Sequence, residues 1–172
     1  MLNNSLIVSG VNSMKSKEIL RLIISLVICQ LAGVVGSLFT RPAIATWYQA
    51  LNKPAFAPPN WLFAPVWTTL YLLMGVALFF AWRKGTENSR GRSALWIFFI
   101  QLFLNAFWSV AFFGLHSPGF GFLVIVLLWV AVLWTIIKFA RLSLLSSILL
   151  WPYFIWVSFA SVLNFSLWMM NR

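Results

Sequence analysis

Acidic residues are almost missing from this chain: two carboxylate side chains, one histidine and one cysteine occur in 172 residues. Hydrolysis by acid–base groups needs paired titratable side chains, and a protein metal site needs several His, Cys or carboxylate ligands. Neither chemistry has a candidate set. Glu18 and Glu87 each stand among Lys and Arg residues, which gives them solvated cationic partners rather than each other. His116 sits in a His-Ser-Pro-Gly turn without acidic or cysteine neighbours and reads as a surface turn residue. Cys29 is alone, so no intrachain disulfide can form and the redox compartment stays open; a packed lipophilic thiol is the default. Internal repeats and low-complexity tracts are also lacking.

What the chain has is apolar surface: 62% of its residues are hydrophobic and eleven are tryptophan. Soluble chains hold about 45–50% apolar residues, so lipid is the expected solvent. Crossing roughly 30 Å of hydrocarbon takes about 20 helical residues, and runs of that length occur at Ile19–Phe39, Trp61–Trp82, Ala94–Gly114, Phe120–Phe139 and Leu144–Met169. The expected fold is therefore an all-α membrane protein, a five-transmembrane-helix bundle, with the termini on opposite sides. Residues 19–172 form its single domain. Residues 1–18 form a polar N-terminal tail, of which 1–13 are expected to be disordered. Lys15, Lys17 and Arg21 before an apolar run, with Ala43-Ile44-Ala45 after it, resemble a cleavable signal. The run from Leu22 to Phe39 exceeds the usual core of about 7–15 residues, which favours a retained helix. Met14 followed by Lys-Ser-Lys offers an alternative start.

The formal charge of +10 is divided unevenly over the connections. Lys15, Lys17, Arg21, Arg83, Lys84, Arg90, Arg92, Lys138 and Arg141 fall on one side, and Arg41, Lys53 and Arg172 on the other. The positive-inside bias then puts the N-terminus in the cytoplasm and the C-terminus outside, with a cell membrane as the first expectation and an outer or organelle membrane as alternatives. Topology accounts for the charge, so nucleic acid is not an expected partner; anionic lipid is the residual one. No Asp, Glu, Arg or Lys lies within a span away from its ends, which argues against an ion-coupled pump or proton relay.

Two features point to a binding cavity. The segment Thr40–Asn60 holds Pro42, Pro54, Pro58 and Pro59 among Trp47, Tyr48, Phe56 and Trp61, which excludes a continuous helix. It reads either as an interfacial aromatic anchor or as a rigid lid whose prolines lower the cost of ordering it. Within the spans, Trp67, Tyr71 and Gly75 form one stripe, Asn105, Trp108 and Ser109 a second, and Trp156, Ala160, Leu163 and Asn164 a third. At about 1.5 Å of rise per residue, Trp67, Trp108 and Asn164 share one depth, Asn105 and Ser161 lie deeper, and Trp156 deepest. Packing and interhelical hydrogen bonds are the alternative role for each residue taken singly. Together, two asparagines and three deep tryptophans at one end favour a cavity for a flat apolar ligand stacked on indole faces. Trp61, Trp82, Trp96 and Trp168 read as boundary anchors, while Trp129 and Trp134 have no assigned role.

The run WYQALNKPAFAPPNWLFAPVWTTLYLLMG, then QLFLNAFWS, then PYFIWVSFASVLN resembles the tryptophan-rich sensory protein and translocator protein family (TspO/MBR), also called peripheral-type benzodiazepine receptors. The match extends over about residues 22–170. The resemblance implies a five-helix membrane protein, commonly a homodimer, with a cavity capped by the first loop that binds porphyrins and other tetrapyrroles, sterols and benzodiazepine-type ligands. Carried over by motif, Trp67 and Trp156 are the tryptophans that bacterial relatives associate with porphyrin binding and light-dependent porphyrin breakdown. Asn105 and Trp108 match pocket-lining positions, Ala160 and Asn164 match positions of the last helix, and Trp47, Tyr48 and Pro54 match the covering loop.

Two departures limit the transfer. Phe56 stands where other members carry Trp, keeping a stacking face but losing an N–H donor. Phe165 and Arg172 break the vertebrate cholesterol pattern, so no sterol site is expected. Three functions follow as expectations: a receptor or carrier for porphyrin or a haem-type tetrapyrrole as ligand, a light-dependent porphyrin-degrading enzyme using Trp67 and Trp156, or a structural assembly protein. No obligate cofactor and no metal are expected. The small-residue pairs Ala32/Gly36 and Gly33/Ser37 permit close helix approach, either within the bundle or across a dimer.

Overall fold

The fold, taken from a computed structural model, describes residues 3–85 and 89–172, with side chains of 15–84 and 89–172. Glu87 lies outside the described residues. Those residues form helices and connections without strands: α1 (Asn3–Ala45), α2 (Trp47–Ala50), α3 (Phe63–Gly85), α4 (Ser89–Ser109), α5 (Pro118–Ala140), α6 (Leu144–Ile148) and α7 (Trp151–Met170). Five segments are long and apolar enough to cross a membrane, at Lys15–Ala45, Asn60–Lys84, Ser89–Gly114, Pro118–Ala140 and Leu144–Met170. Each contains one run found by hydropathy.

Around the bundle the long helices contact in the order α3, α1, α4, α5, α7, with α7 touching α3 again to close the ring. α1 is the least buried of the five. Side chains that lack an internal partner face outward along it, among them Ile23, Val27, Leu31, Val34 and Leu38. The core is built by Tyr71, Met74, Leu78, Phe98, Leu102, Leu128, Val132, Tyr153 and Val157 at helical spacings. At one end of the bundle Glu18 pairs with Arg21 on its own helix at 3.2 Å and with Arg83 on α3, so this acid does meet the clustered bases.

Several expectations are corrected. α1 runs from Asn3, so its backbone carries the helix through residues expected to be disordered. It also continues past Phe39 to Ala45 with Pro42 inside; the loss of one backbone donor is tolerated near a helix end, where Thr46 Oγ1 donates to the Pro42 carbonyl at 2.9 Å. The covering segment is therefore shorter than Thr40–Asn60. It comprises the α2 turn, an extended stretch and a 3₁₀ turn at Asn60–Leu62. The fifth span is broken between α6 and α7, where Pro152 sits in the first turn of the new helix, a position that needs no donor.

α4 ends in a π-helical turn, Val110–Gly114, closed by Leu115 N–H donating to the Val110 carbonyl at 2.8 Å. Ala111, Phe112 and Phe113 of this widened turn are all buried. His116 follows with φ 51°, exposed and stacked on Trp47 at 4.8 Å, as expected of a turn residue.

Gly33 and Gly36 of α1 and Gly75 of α3 lie at close contacts within the bundle. A Cβ on Gly33 would stand 2.5 Å from the Tyr71 ring, one on Gly36 2.9 Å from Ser109 Oγ, and one on Gly75 2.9 Å from Leu26 Cα. Gly75 thus faces α1 and not the cavity in which its stripe with Trp67 and Tyr71 places it. Since the atom opposing Gly75 is backbone, Gly75→Val must push α1 from α3. We expect it to cost about 1–3 kcal/mol and lower the melting temperature in detergent, while Leu123→Ala on the exposed face of α5 leaves the transition in place.

Candidate ligand cavity between the helices

Polar groups in an apolar bundle must find partners within it. Asn105, 2% exposed four residues before the end of α4, accepts a hydrogen bond from Tyr71 Oη on α3. It donates through Nδ2 to Tyr153 Oη on α7 at 2.9 Å. One amide thereby joins three helices. One turn along α4, Trp108 Nε1 donates to Asn164 Oδ1 at 3.0 Å, and Asn164 Nδ2 donates to the Pro118 carbonyl at 2.7 Å, which brings in α5. Trp129, unassigned from sequence, donates to Ser158 Oγ at 2.8 Å and ties α5 to α7. Trp134 is exposed on the outer surface, as are Trp61 and Trp96.

Trp67 stands between these anchors. Its ring stacks on Tyr71 at 5.6 Å and lies 6.5 Å from Trp108, 6.3 Å from Tyr153 and 6.5 Å from Trp156. Tyr153, and not Trp156, is level with Asn105, so Trp156 is shallower than the simple rise predicts. α7 runs toward the covering segment, where Asn171 meets Asn52, and counting depth from Met169 therefore overstates it.

The space around these rings is divided. A cavity of about 350 Å³ lies between α1, α3 and α4, and Trp67, Tyr71, Asn105 and Trp108 line it as expected of one pocket. Trp156, Ala160, Leu163 and Asn164 instead line a nearly filled void of about 20 Å³ on the α7 side, closed by Tyr48 and sharing Trp67 and Trp108 with the larger cavity. The third stripe thus faces a different space from the first two. Phe63 and Phe113 belong to both linings and help to form the partition. Trp156 Nε1 is buried with no hydrogen-bond partner among the described residues.

Of the loop residues, Tyr48 is buried over the small void, and burial pushes its phenol above the ordinary value of 10, which keeps it neutral. Lys53 lies over its ring at 4.7 Å. Trp47 packs on Phe112 and His116, and Phe56 is half exposed against Phe159; neither they nor Pro54 line a cavity. The segment is held by reciprocal bonds: Asn52 N–H donates to Asn171 Oδ1 at 2.9 Å, and Asn171 Nδ2 donates to the Asn52 carbonyl at 2.9 Å.

Sequence reasoning missed the α1 wall, where Gln30, Gly33, Ser37, Thr40 and Arg41 line the large cavity. A signal for it exists, since small and polar residues recur at three- and four-residue spacing in an otherwise apolar helix. Phe63, Phe113 and Tyr153 were also missed. No group of three or more potential metal ligands occurs among the described residues.

The sequence profile of the TspO/MBR family matches residues 25–169. The chain belongs to the TspO/MBR family. It is 44% identical to tryptophan-rich protein TspO of Chlorobaculum tepidum, over 91% of this chain and 99% of the relative. It is 41% identical to protein CrtK of Rhodobacter capsulatus, over 84% and 89%. Identity to the human translocator protein is 34%, over 80% of this chain and 82% of the relative. With its five apolar helices, this TspO/MBR protein is an integral multi-pass membrane protein.

Two outcomes test the geometry. Asn105→Leu leaves two buried phenols unpartnered, and each should cost about 1–3 kcal/mol, lowering the melting temperature well below that of Asn105→Gln. Asn171→Ala removes the loop's reciprocal bonds, so hydrogen–deuterium exchange should accelerate at Asn52 and its neighbours and stay unchanged in α5.

Proposed function

We propose that this TspO/MBR protein is a membrane receptor or carrier that binds a porphyrin or related flat tetrapyrrole between its helices and regulates its handling. The observation that carries the reading is the cavity of about 350 Å³ walled by Trp67, Trp108 and Phe113, within the roughly 300–1,000 Å³ usual for ligand sites. Indole faces suit an extended π system, and Asn105 at the floor adds polarity. On the far side of the shared wall of Trp67 and Trp108, the unpartnered Trp156 N–H is a further donor for a ligand that displaces Tyr48.

The proposal includes a cytoplasmic N-terminus and an external C-terminus, supported by the skewed Lys and Arg distribution. A cell membrane and a homodimer complete it, the dimer resting on the family resemblance alone. A second reading, light-dependent porphyrin breakdown, draws on the contact between Trp67 and Trp156, which gives photoexcited porphyrin two adjoining one-electron donors, with dissolved dioxygen as the oxidant that ring opening requires.

Titrating protoporphyrin against tryptophan fluorescence in the dark tests the binding reading. Saturable quenching is expected, weakened about three- to tenfold in Trp67→Phe, as the smaller stacking face implies. Absence of saturation leaves the structural assembly role. Illumination separates the second reading: a porphyrin spectrum altered by wild type and unaltered by Trp67→Phe/Trp156→Phe supports breakdown, and an unchanged spectrum with both proteins sinks it.

A further inference from the structure

Among the residues lining the two cavities, Arg41 alone carries a charge. Its position near the end of α1 complements the helix dipole, which accounts for a cation there but not for its place on a cavity wall. No side-chain or terminal carboxylate among the described residues pairs with it: both ion pairs involve Glu18, at the opposite end of the bundle. The other acid, Glu87, belongs in sequence to the connection just after Arg83, the residue that meets Glu18. Among the described residues no acid neutralises this guanidinium, which borders a low-dielectric space.

The rest of the lining is graded in polarity. Arg41 and Asn60 are exposed and form a rim, whereas Tyr71, Asn105 and Trp108 are buried and form the floor. Ser37 and Thr40 already donate to their own helix, at 2.7 Å to the Val34 carbonyl and 3.0 Å to the Gly36 carbonyl. The donors left at the rim are the Arg41 guanidinium and the Asn60 amide, for which no hydrogen bond is found among the described residues. A planar fork of N–H groups fits a carboxylate in two parallel bonds.

We infer that the cavity is built for a flat aromatic acid, with its ring system on Trp67 and Trp108 and its carboxylate on Arg41, which makes Arg41 the specificity determinant for the ionised form. The inference rests on the tetrapyrrole reading and assigns the propionate side chains of a porphyrin to the α1 rim. It places recognition of charge on a helix outside the three stripes that carry the aromatic contacts.

The test uses the full-length protein in phosphatidylcholine nanodiscs at low salt, titrated with protoporphyrin and with its dimethyl ester. Wild type should bind the free acid about three- to tenfold more tightly than the ester. Arg41→Gln should abolish that preference while leaving the ester unchanged, and Arg41→Lys should retain part of it. A preference that survives Arg41→Gln, or a mutation that weakens acid and ester alike, overturns the assignment but leaves tetrapyrrole binding intact. Failure of both compounds to bind wild type overturns both. An Arg41→Gln effect confined to discs containing phosphatidylglycerol assigns the residue to a lipid headgroup and also overturns the inference.

Discussion

The amide of Asn105 accepts from Tyr71 and donates to Tyr153, and the arrangement of the bundle follows from this three-helix junction. Lipid chains are as apolar as leucine, so burial alone does not tell membrane helices which faces to present to each other. Unpaired polar groups do, because each costs free energy unless it finds a partner. Once Asn105 holds α3, α4 and α7 at one level, Trp67 is confined among Tyr71, Trp108, Tyr153 and Trp156. The second junction, Trp108 to Asn164 to the Pro118 carbonyl, then sets the relation of α4 to α5 and α7.

The large cavity is the space these junctions do not fill. α1 makes no side-chain hydrogen bond to Asn105, Trp108 or Asn164; it approaches through Gly33, Gly36 and the opposing Gly75, and Gln30 Nε2 donates to the Thr68 carbonyl at 3.3 Å. Close approach at these glycines brings the helices together in one stretch and leaves room beside it, where α1 turns Ser37, Thr40 and Arg41 toward the aromatic rings. On the α7 side Tyr48 fills the equivalent space, leaving about 20 Å³. One aromatic cluster therefore presents an open face to α1 and a plugged face to the covering segment.

Legibility in the sequence tracked the range of the interaction involved. The five spans were readable because hydropathy over about 20 residues is local and lipid enforces it. Trp67, Tyr71, Asn105 and Trp108 were readable as a group because helical periodicity puts them on inward faces, and a buried asparagine needs partners. Trp129 was not, since its role depends on Ser158 of another helix. Gly75 was misplaced for the same reason: its spacing with Tyr71 is correct, but which neighbour a helix face meets is not a property of that helix. The π-helical turn was hidden because it is selected by the packing of Phe112 and Phe113 rather than by a local signal.

By itself the sequence determined the number of spans, the family, the poverty of acid–base chemistry and the aromatic character of the site, all consequences of composition and short-range periodicity. Only tertiary structure decided that the aromatic cluster divides two spaces, that the larger one borders α1, and that Arg41 stands on its wall. Those outcomes depend on distances between helices, which glycine contacts and a few buried hydrogen bonds set in three dimensions.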